Sequence, residues 1–170
     1  PQNTAAIIRL GACLNLKIHI IEPCGFNLND KRFKRVVMDY VGLSKIFRYD
    51  DYNSFLKKNK KWRIVLLTTK AKKLYHEFKF KKNDMLLFGR ESAGVPEELH
   101  NSIKTKIKIP ISKKTRSLNI VVSAAIISSE ALKQNNLFKY LKWLQKNLKG
   151  KWLIVGFHTF KVKFVKNLNY

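Results

Sequence analysis

Short apolar runs that alternate with amphipathic stretches are the feature that most constrains this chain. The clearest runs are RIVLLT at Arg63–Thr68 and MLLF at Met85–Phe88, the second of which is followed directly by Gly89. Runs of this length bounded by turn residues are typical of buried β-strands, whereas the stretches between them have helical spacing. This alternation predicts an α/β fold with a largely parallel sheet.

The same patterns predict the remaining elements. We expect strands at Lys17–Glu22, Ser44–Arg48 and Lys106–Ile109, and helices at Thr4–Leu16, Lys31–Tyr40, Asp51–Lys58, from Pro96 onward, and at Leu118–Gln134. Asn3 and Ser117 stand where the N-caps of the first and last helices are expected, because short polar side chains can accept hydrogen bonds from the first helical N–H groups.

The charge balance points to a polyanionic partner. There are 35 Lys and Arg residues against 11 Asp and Glu residues, a formal net charge of +24. Nucleic acid is the first candidate. A general lysine and asparagine richness of the whole sequence is an alternative, and an anionic membrane surface is a weaker one. No apolar run reaches the roughly 18 residues of a membrane-spanning helix, so we expect no membrane insertion.

The end of the chain has its own composition. Residues 135–170 contain eight lysines and no acidic residue, with aromatic residues interleaved. We therefore predict a domain over residues 1–137 and a basic, aromatic-rich extension over residues 138–170. Lysines beside aromatic rings suit RNA phosphates and bases, although an extension with no defined role fits equally.

A metal site is not expected. The two cysteines, Cys13 and Cys24, lack a CxxC spacing and no histidine clusters with them. Reduced thiols of this kind fit a cytoplasmic protein.

Three segments carry the candidate chemistry: residues 1–9 (PQNTAAIIR), residues 87–96 (LFGRESAGVP) and residues 107–119. Gly89 follows a strand end, where open α/β sheets place their ligand crevice. Gly94 lets the loop turn, and Arg9 suits an anion or an oxygen better than a core. The pattern is neither GxGxxG nor a P-loop. The residues alone leave open a small-ligand cleft or ordinary strand-to-helix turns.

Taken together, in this order and spacing, these segments resemble the SPOUT superfamily of RNA methyltransferases, specifically the SpoU-type ribose 2′-O-methyltransferases. The similarity is greatest to the small single-domain enzymes that methylate the wobble nucleotide of tRNA. It extends from Pro1 to about Gln134 and leaves the extension outside. It is carried by Asn3-Thr4, Ile7-Ile8-Arg9, Ile20-Ile21-Glu22-Pro23, Gly25-Phe26, Asp30-Lys31-Arg32, Asp39-Tyr40, Leu67-Thr68-Thr69-Lys70, Phe88 to Pro96, Ile109-Pro110 and Arg116-Ser117-Leu118-Asn119.

The resemblance implies a specific fold and cofactor. The fold is a parallel α/β sheet with a C-terminal trefoil knot, the enzyme is a homodimer, and the family's first strand is expected before Pro1. The knot forms a pocket for S-adenosylmethionine. The cofactor-binding residues implied by position are Leu67, Gly89, Glu91, Ile109, Ser117, Leu118 and Asn119.

The resemblance also implies an activity, the transfer of a methyl group from S-adenosylmethionine to a ribose 2′-hydroxyl of tRNA. Arg9 matches the motif arginine near that hydroxyl, and Asn3 would hold Arg9 or the substrate backbone, so both are catalytic candidates. The candidate RNA contacts are Arg116 and the basic residues Lys31, Arg32 and Arg35.

Some positions depart from the family pattern. Val121-Val122 replaces a Ser-Asn pair, Ser129 stands where many relatives have tyrosine, and Ala5 replaces the glycine of an Asn-Thr-Gly motif. Two alternatives therefore stay open. One is a methyltransferase acting at another site of tRNA or rRNA, and the other is an inactive homologue that only binds RNA.

Overall fold

A computed structural model describes residues 2–24, 45–90 and 93–138 of the 170-residue chain. In these ranges, all strands are paired in parallel and are flanked by helices, so the predicted parallel α/β class is confirmed. The strands form two hydrogen-bonded sheets, of two and three strands, where the sequence predicted one. The helix expected at Lys31–Tyr40 lies outside the described residues.

The elements lie within a few residues of their predicted positions. The helices are α1 (Gln2–Leu14), α2 (Tyr52–Lys58), α3 (Glu97–Ser102) and α4 (Ile120–Gln134), and the strands are β1 (Lys17–Ile21), β2 (Lys45–Tyr49), β3 (Arg63–Leu67), β4 (Asp84–Phe88) and β5 (Thr105–Ile107). A short 3₁₀ helix spans Tyr75–Glu77.

The smaller sheet pairs β1 with β2 in the register Lys17↔Lys45 through Ile21↔Tyr49. One of its faces is covered by α1. Ala5 and Ile8, three residues apart on the helix, pack with Ile20 into a buried cluster. The spacing of apolar residues in α1 therefore produces the contact that holds it on the sheet.

The larger sheet has the order β4-β3-β5, with β3 in the centre. Strand β3 has a neighbouring strand on each side, and side chains packed on the sheet faces leave Val65 and Leu66 at most 1% exposed. Val65 joins Ile107 of β5, Ile127 of α4 and Phe80 in the main core. Burial of each of these aliphatic side chains stabilises the fold by at most about 1.5–3 kcal/mol.

Both ends of α4 are held by polar side chains. At its C-terminal end, the Gln134 side chain accepts from the N–H of Phe80 at 2.9 Å and donates to the carbonyl of Phe78 at 3.0 Å. At its start, Asn119 Oδ1 accepts from the N–H of Val121 at 2.8 Å. The cap is therefore Asn119, and the prediction of Ser117 was wrong.

The prediction for the first helix was also wrong in one respect. Helix α1 begins at Gln2, so Asn3 lies in its first turn and not at the cap position. The side chain of Asn3 is instead engaged across the fold, where its Oδ1 accepts from Nδ2 of Asn119 at 3.2 Å. This hydrogen bond joins the starts of α1 and α4, which are 116 residues apart.

The chain divides into a unit spanning Pro1–Asn135 and a second spanning Asn136–Tyr170. Apart from Phe138, the predicted extension 138–170 lies outside the described residues, and its role stays a prediction. Within the described ranges, no helix has the length and apolar character needed to cross a membrane.

Candidate active site

A cleft of about 540 Å³ opens at the carboxyl edge of the larger sheet. It lies there because β3, β4 and β5 run in the same direction, so the segments that follow them emerge side by side. Its volume is within the range of small-molecule and cofactor sites, roughly 300–1,000 Å³. It has three walls: the segment after β3, the loop after β4 together with helix α3, and the segment that leads from β5 into α4.

The segment after β3 forms the first wall and is pinned at both ends. The N–H of Thr68 donates to the carbonyl of Ile107 at 3.0 Å, and Lys108 exchanges backbone hydrogen bonds with Lys73 and Tyr75 at 2.9 and 3.0 Å. Leu67, Thr68, Thr69 and Lys70 line the cleft. This wall therefore presents one apolar side chain, two hydroxyls and one ammonium group on a backbone held by hydrogen bonds.

The glycine loop after β4 forms the second wall. Arg90 and Gly94 pair as a small antiparallel bridge, with N–H to carbonyl distances of 2.9 and 2.7 Å. This folds the loop directly onto Gly89, where a Cβ atom would lie 2.4 Å from the carbonyl carbon of Gly94 and 2.6 Å from the nitrogen of Val95. Only glycine fits at Gly89, since its contacts are backbone atoms that cannot rotate away.

Gly94 has a different reason to be glycine. Its φ of +68° lies in the left-handed region, and a Cβ atom built there would meet nothing within 4 Å. The side of Gly94 that would carry a side chain is therefore open. A ligand that packs against the backbone of the loop needs such an open side.

Helix α3 contributes Pro96, Glu97 and His100 to the cleft wall. Pro96 is the N-cap residue, with an extended conformation that precedes the first turn. The ring atom Nε2 of His100 is buried and has no hydrogen-bond partner among the described residues. His100 therefore adds a polar ring to a stretch of wall that is otherwise formed by Pro96 and Glu97.

The third wall leads from β5 into α4. Ile109, Ile111, Ser117 and Leu118 line the cleft, followed by residues of the first turns of α4. Leu118 is a large apolar side chain that is 39% exposed. This wall is mostly apolar, and the hydroxyls of Ser117 and Ser123 are its polar groups.

Both catalytic candidates, Asn3 and Arg9, belong to α1, and the candidate RNA contact Arg116 precedes α4. Asn3 contacts Asn119, which caps α4 next to Ser117 and Leu118. Arg9 is exposed and lies six residues further along α1, and Arg116 is exposed directly before Ser117. The Asn3–Asn119 hydrogen bond therefore brings the start of the arginine-bearing helix to the rim of the third wall.

The turn after β1 contacts the glycine loop and contains two side chains with shifted pKa values. A guanidinium nitrogen of Arg90 donates to the carbonyl of Pro23 at 3.3 Å. Burial, reinforced by the hydrogen bond and charge of Glu22, raises the pKa of the Cys24 thiol to about 11. The Arg48 guanidinium and the N–H of Cys24 lower the pKa of Glu22 by hydrogen bonding to its carboxylate. Cys24 is thus a neutral thiol at physiological pH and not a nucleophile.

Most of the predicted cofactor residues lie together. Leu67, Gly89, Ile109, Ser117 and Leu118 line the same cleft, while Asn119 lies beside it as the helix cap. Glu91 and the predicted RNA contacts Lys31, Arg32 and Arg35 lie outside the described residues. The roles assigned to all of these residues stay predictions.

Some lining residues were not singled out as ligands from the sequence. Arg90 and His100 are two of the polar ones. Arg90 follows Gly89 directly, so adjacency to the glycine was the available signal. His100 is four residues after Pro96, one helical turn, and that spacing would have placed it on the same helix face.

The described residues contain no group of three or more His, Cys, Asp or Glu side chains able to hold a metal ion. The cleft instead combines glycine backbone, hydroxyls and apolar walls, a combination suited to an organic ligand with a few polar groups.

Comparison with known proteins identifies the family to which this cleft belongs. The SpoU rRNA Methylase family matches residues 1–129, more than half of the chain. The chain belongs to the SpoU rRNA methylase family. The resemblance predicted from the three segments is therefore confirmed, and the cleft is built from the second and third of them.

Relatives of known activity cover most of this SpoU-family chain. A protein from Beijerinckia indica named tRNA (cytidine(34)-2′-O)-methyltransferase is 43% identical over 140 residues, covering 79% of this chain and 85% of its own length. The proteins of the same name from Ancylobacter novellus and Escherichia coli K12 are 40% and 35% identical, covering 81% and 79% of this chain and 88% and 87% of their own lengths.

Solved structures share the fold. One, described as giving structural insights into the 2-OH methylation of C/U34 on tRNA, superposes with a TM-score of 0.76 at 32% identity, covering 80% of this chain and 90% of the other. An AdoMet-bound rRNA methyltransferase from Sinorhizobium meliloti superposes with a TM-score of 0.69 at 23% identity, covering 77% of this chain and 51% of the other. The second similarity concerns the fold alone.

Proposed function

We propose that this protein transfers a methyl group from S-adenosylmethionine to a ribose 2′-hydroxyl of tRNA, at the wobble cytidine or uridine of the anticodon. The observation that carries the proposal is the cleft at the carboxyl edge of β3, β4 and β5, lined by the second and third family segments. Relatives at 35–43% identity are named for methylation of cytidine 34.

The chemistry of the cleft fits S-adenosylmethionine. Leu67, Ile109 and Leu118 provide apolar surface for a purine, and the glycine loop offers backbone donors and acceptors close to a ligand. The Ser117 and Thr68 hydroxyls and the His100 ring supply polar contacts. In the proposal, Glu91 and Asn119 are neighbours of this site. When bound, the cofactor supplies a methyl group already activated on a sulfonium.

The work of the protein is then to place the ribose and stabilise charge on its oxygen. A guanidinium stays protonated, so Arg9 acts by positioning the 2′-hydroxyl and stabilising negative charge as it develops, not as a base. Asn3 contributes by holding the start of α1 against Asn119. Alignment of reactants of this kind can lower a barrier by about 7–11 kcal/mol.

The proposal extends to assembly and RNA binding. We infer a homodimer with a deep trefoil knot in its C-terminal part, acting in the cytoplasm, where tRNA is processed. The fold similarity to family members and the exposed apolar side chains of Leu118 and Val122 support it. Arg116 beside the cleft, together with Lys31, Arg32 and Arg35, would contact the RNA, and the extension 138–170 would add basic surface.

The first experiment titrates the purified protein with S-adenosylmethionine by calorimetry, using the parent, Arg9→Ala and Gly89→Val. We expect micromolar binding by the parent and by Arg9→Ala, and none by Gly89→Val. Methylation of a tRNA transcript, read by mass spectrometry of nuclease fragments, should be lost in both variants. A folded parent that binds tRNA but not the cofactor would support the inactive RNA-binding homologue instead.

The position of the methyl group tests the remaining alternative. In the proposal, the product fragment carries one added methyl on nucleotide 34, and a transcript with a 2′-deoxyribose at that position is not modified. Methylation that persists on the deoxy-substituted transcript would show that another nucleotide is the substrate, while leaving the cofactor site intact.

A further inference from the structure

A basic face lies at the opposite edge of the larger sheet from the cleft. Its members are Lys60, Lys61 and Trp62, which precede β3, and Lys79, Lys81 and Lys82, which precede β4. All six are exposed, and Trp62 is 41% exposed. We call this group the lysine face. It takes no part in the cleft, whose lining begins at Leu66.

The two loops are held side by side. Strands β3 and β4 start in register as Arg63↔Asp84, and the N–H of Arg63 donates to the carbonyl of Asn83 at 3.1 Å. The Arg63 guanidinium also donates to the carbonyl of Lys79 at 3.1 Å. Neighbouring strands are about 4.8 Å apart, so the lysines of both loops belong to one surface.

The acidic side chain at this edge does not offset the lysines. Both oxygens of Asp84 accept from Arg63, at 2.6 Å each, and the Asp84 side chain is only 3% exposed. Two further acidic residues near the loops, Glu77 and Glu130, are paired with Lys73 and Lys133 at 3.6 Å. The lysine face is therefore a concentrated positive surface with one exposed indole ring.

This combination suits RNA. Lysines attract phosphates through a largely electrostatic interaction, and an exposed aromatic ring among them can stack on an unpaired base. A membrane surface would favour an apolar or amphipathic element beside the lysines, and the two loops present a single tryptophan. Charge and ring chemistry together favour a nucleic acid.

We propose that the lysine face is a second RNA contact, which binds the phosphate backbone of the substrate at a distance from the methylated nucleotide and stacks Trp62 on an unpaired base. The proposal rests on the proposed function in taking tRNA as the RNA. A strand of five residues separates the face from the cleft by roughly 15 Å, about five stacked nucleotides at the ~3.4 Å spacing of a duplex. A whole tRNA spans that distance.

The test compares two quadruple variants at Lys60, Lys61, Lys81 and Lys82, one with glutamine and one with arginine at all four positions. Affinity for a whole tRNA transcript is measured by fluorescence anisotropy from 50 to 300 mM salt. We expect the glutamine variant to bind about 10-fold more weakly at 150 mM salt. Its slope of log affinity against log salt should fall by about 0.7–0.9 for each lost phosphate contact. The arginine variant should bind like the parent.

The indole ring is tested separately with Trp62→Leu and Trp62→Phe. Loss of stacking should weaken binding by roughly 5-fold or more in the leucine variant without changing the salt slope, and phenylalanine should restore most of it. Parent affinity and slope in the glutamine variant would overturn the proposal. So would a loss confined to anionic phosphatidylserine vesicles, which would assign the face to a membrane.

Cofactor titration keeps this proposal separate from the proposed function. The glutamine variant should bind S-adenosylmethionine like the parent, because none of its changes touches the cleft. A parent that binds tRNA through the lysine face but methylates nothing would contradict the proposed function and leave the second contact standing.

Discussion

Gly89 and Gly94 are five residues apart in one loop, yet they are glycines for opposite reasons. At Gly89 the conformation is ordinary but the space is filled by the backbone of Gly94 and Val95, whereas at Gly94 the space is open but φ is +68°. A side chain at the first position must displace the loop. A side chain at the second must only tolerate a left-handed backbone.

This difference predicts unequal effects of substitution. Gly89→Ala should destabilise the protein by about 1–3 kcal/mol through overpacking and abolish cofactor binding, because the loop leaves its place in the cleft wall. Gly94→Asn should cost under about 1 kcal/mol, since asparagine tolerates the left-handed region. Urea unfolding and calorimetric titration measure both effects, and an unchanged titration in Gly89→Ala would show that the loop does not form the site.

The Cys24 thiol offers a pH-dependent readout of its surroundings. Because its pKa is raised to about 11 by burial and by Glu22, the thiolate is scarce below pH 9 and becomes abundant only near pH 11. Alkylation of Cys24 by iodoacetamide should therefore be slow at pH 8 and speed up about tenfold per pH unit up to that range. Peptide mass spectrometry follows it, with the exposed Cys13 as internal reference.

The contribution of Glu22 to this effect is separable. Glu22→Gln removes the negative charge that raises the pKa of the thiol, so Cys24 should be alkylated faster at pH 8 than in the parent. Equal rates in the two proteins would attribute the raised pKa to burial and hydrogen bonding and not to the charge of Glu22.

At the scale of elements, the start of α4 has two functions that share one side chain. Asn119 caps the helix through Oδ1 and reaches Asn3 through Nδ2. Removal of a cap of this kind costs typically about 1 kcal/mol. The cap therefore stabilises α4, and the second hydrogen bond fixes where α1 stands relative to it.

Three substitutions separate the two functions. Asn119→Ser keeps a hydroxyl that can cap the helix but is too short to reach Asn3, so stability should stay near that of the parent while methylation falls. Asn119→Ala loses both and should unfold about 1 kcal/mol more easily, and Asn3→Ala should match Asn119→Ser in activity. Full activity in both Asn119→Ser and Asn3→Ala would contradict a positioning role for this hydrogen bond.

The elements show which parts of the fold the sequence could predict. Strands β3 and β4 were predicted to within a residue because their apolar runs are dense and sharply bounded, and most cleft residues followed from the family motifs. The cap of α4 was misassigned because Ser117 and Asn119 are both competent capping residues two positions apart. The separation into two sheets depends on which strand edges meet in space, and no local pattern carries that information.

The position of His100 at the cleft is another feature that the sequence did not predict. Its spacing from Pro96 indicates a shared helix face, but nothing local in the sequence indicates that this face of α3 borders the cleft. Asn3 is similar, since its partner lies 116 residues away. Sequence reasoning has the least information about residues whose contacts are distant in the chain.

At the scale of the whole molecule, the cleft should couple ligand binding to stability. It takes residues from β3, α3 and α4 together, so the unfolded chain offers no equivalent site. Saturation at 100 times Kd should stabilise the fold by about 2.7 kcal/mol, which corresponds to a rise in Tm of roughly 5–10 °C for a protein of this size. Differential scanning fluorimetry with S-adenosylmethionine measures it, and Gly89→Val should show no rise.

The two buried clusters also differ in when they can form during synthesis. Ala5, Ile8 and Ile20 lie close together in the chain, so the contact between α1 and β1 is local. The main core needs Ile127, and the hydrogen bond to Asn3 needs Asn119. At about 5–20 residues per second, these residues are synthesised several seconds later. The third wall of the cleft is therefore the last of its walls to be synthesised, and a nascent chain stalled before α4 would lack both the main core and a complete cleft.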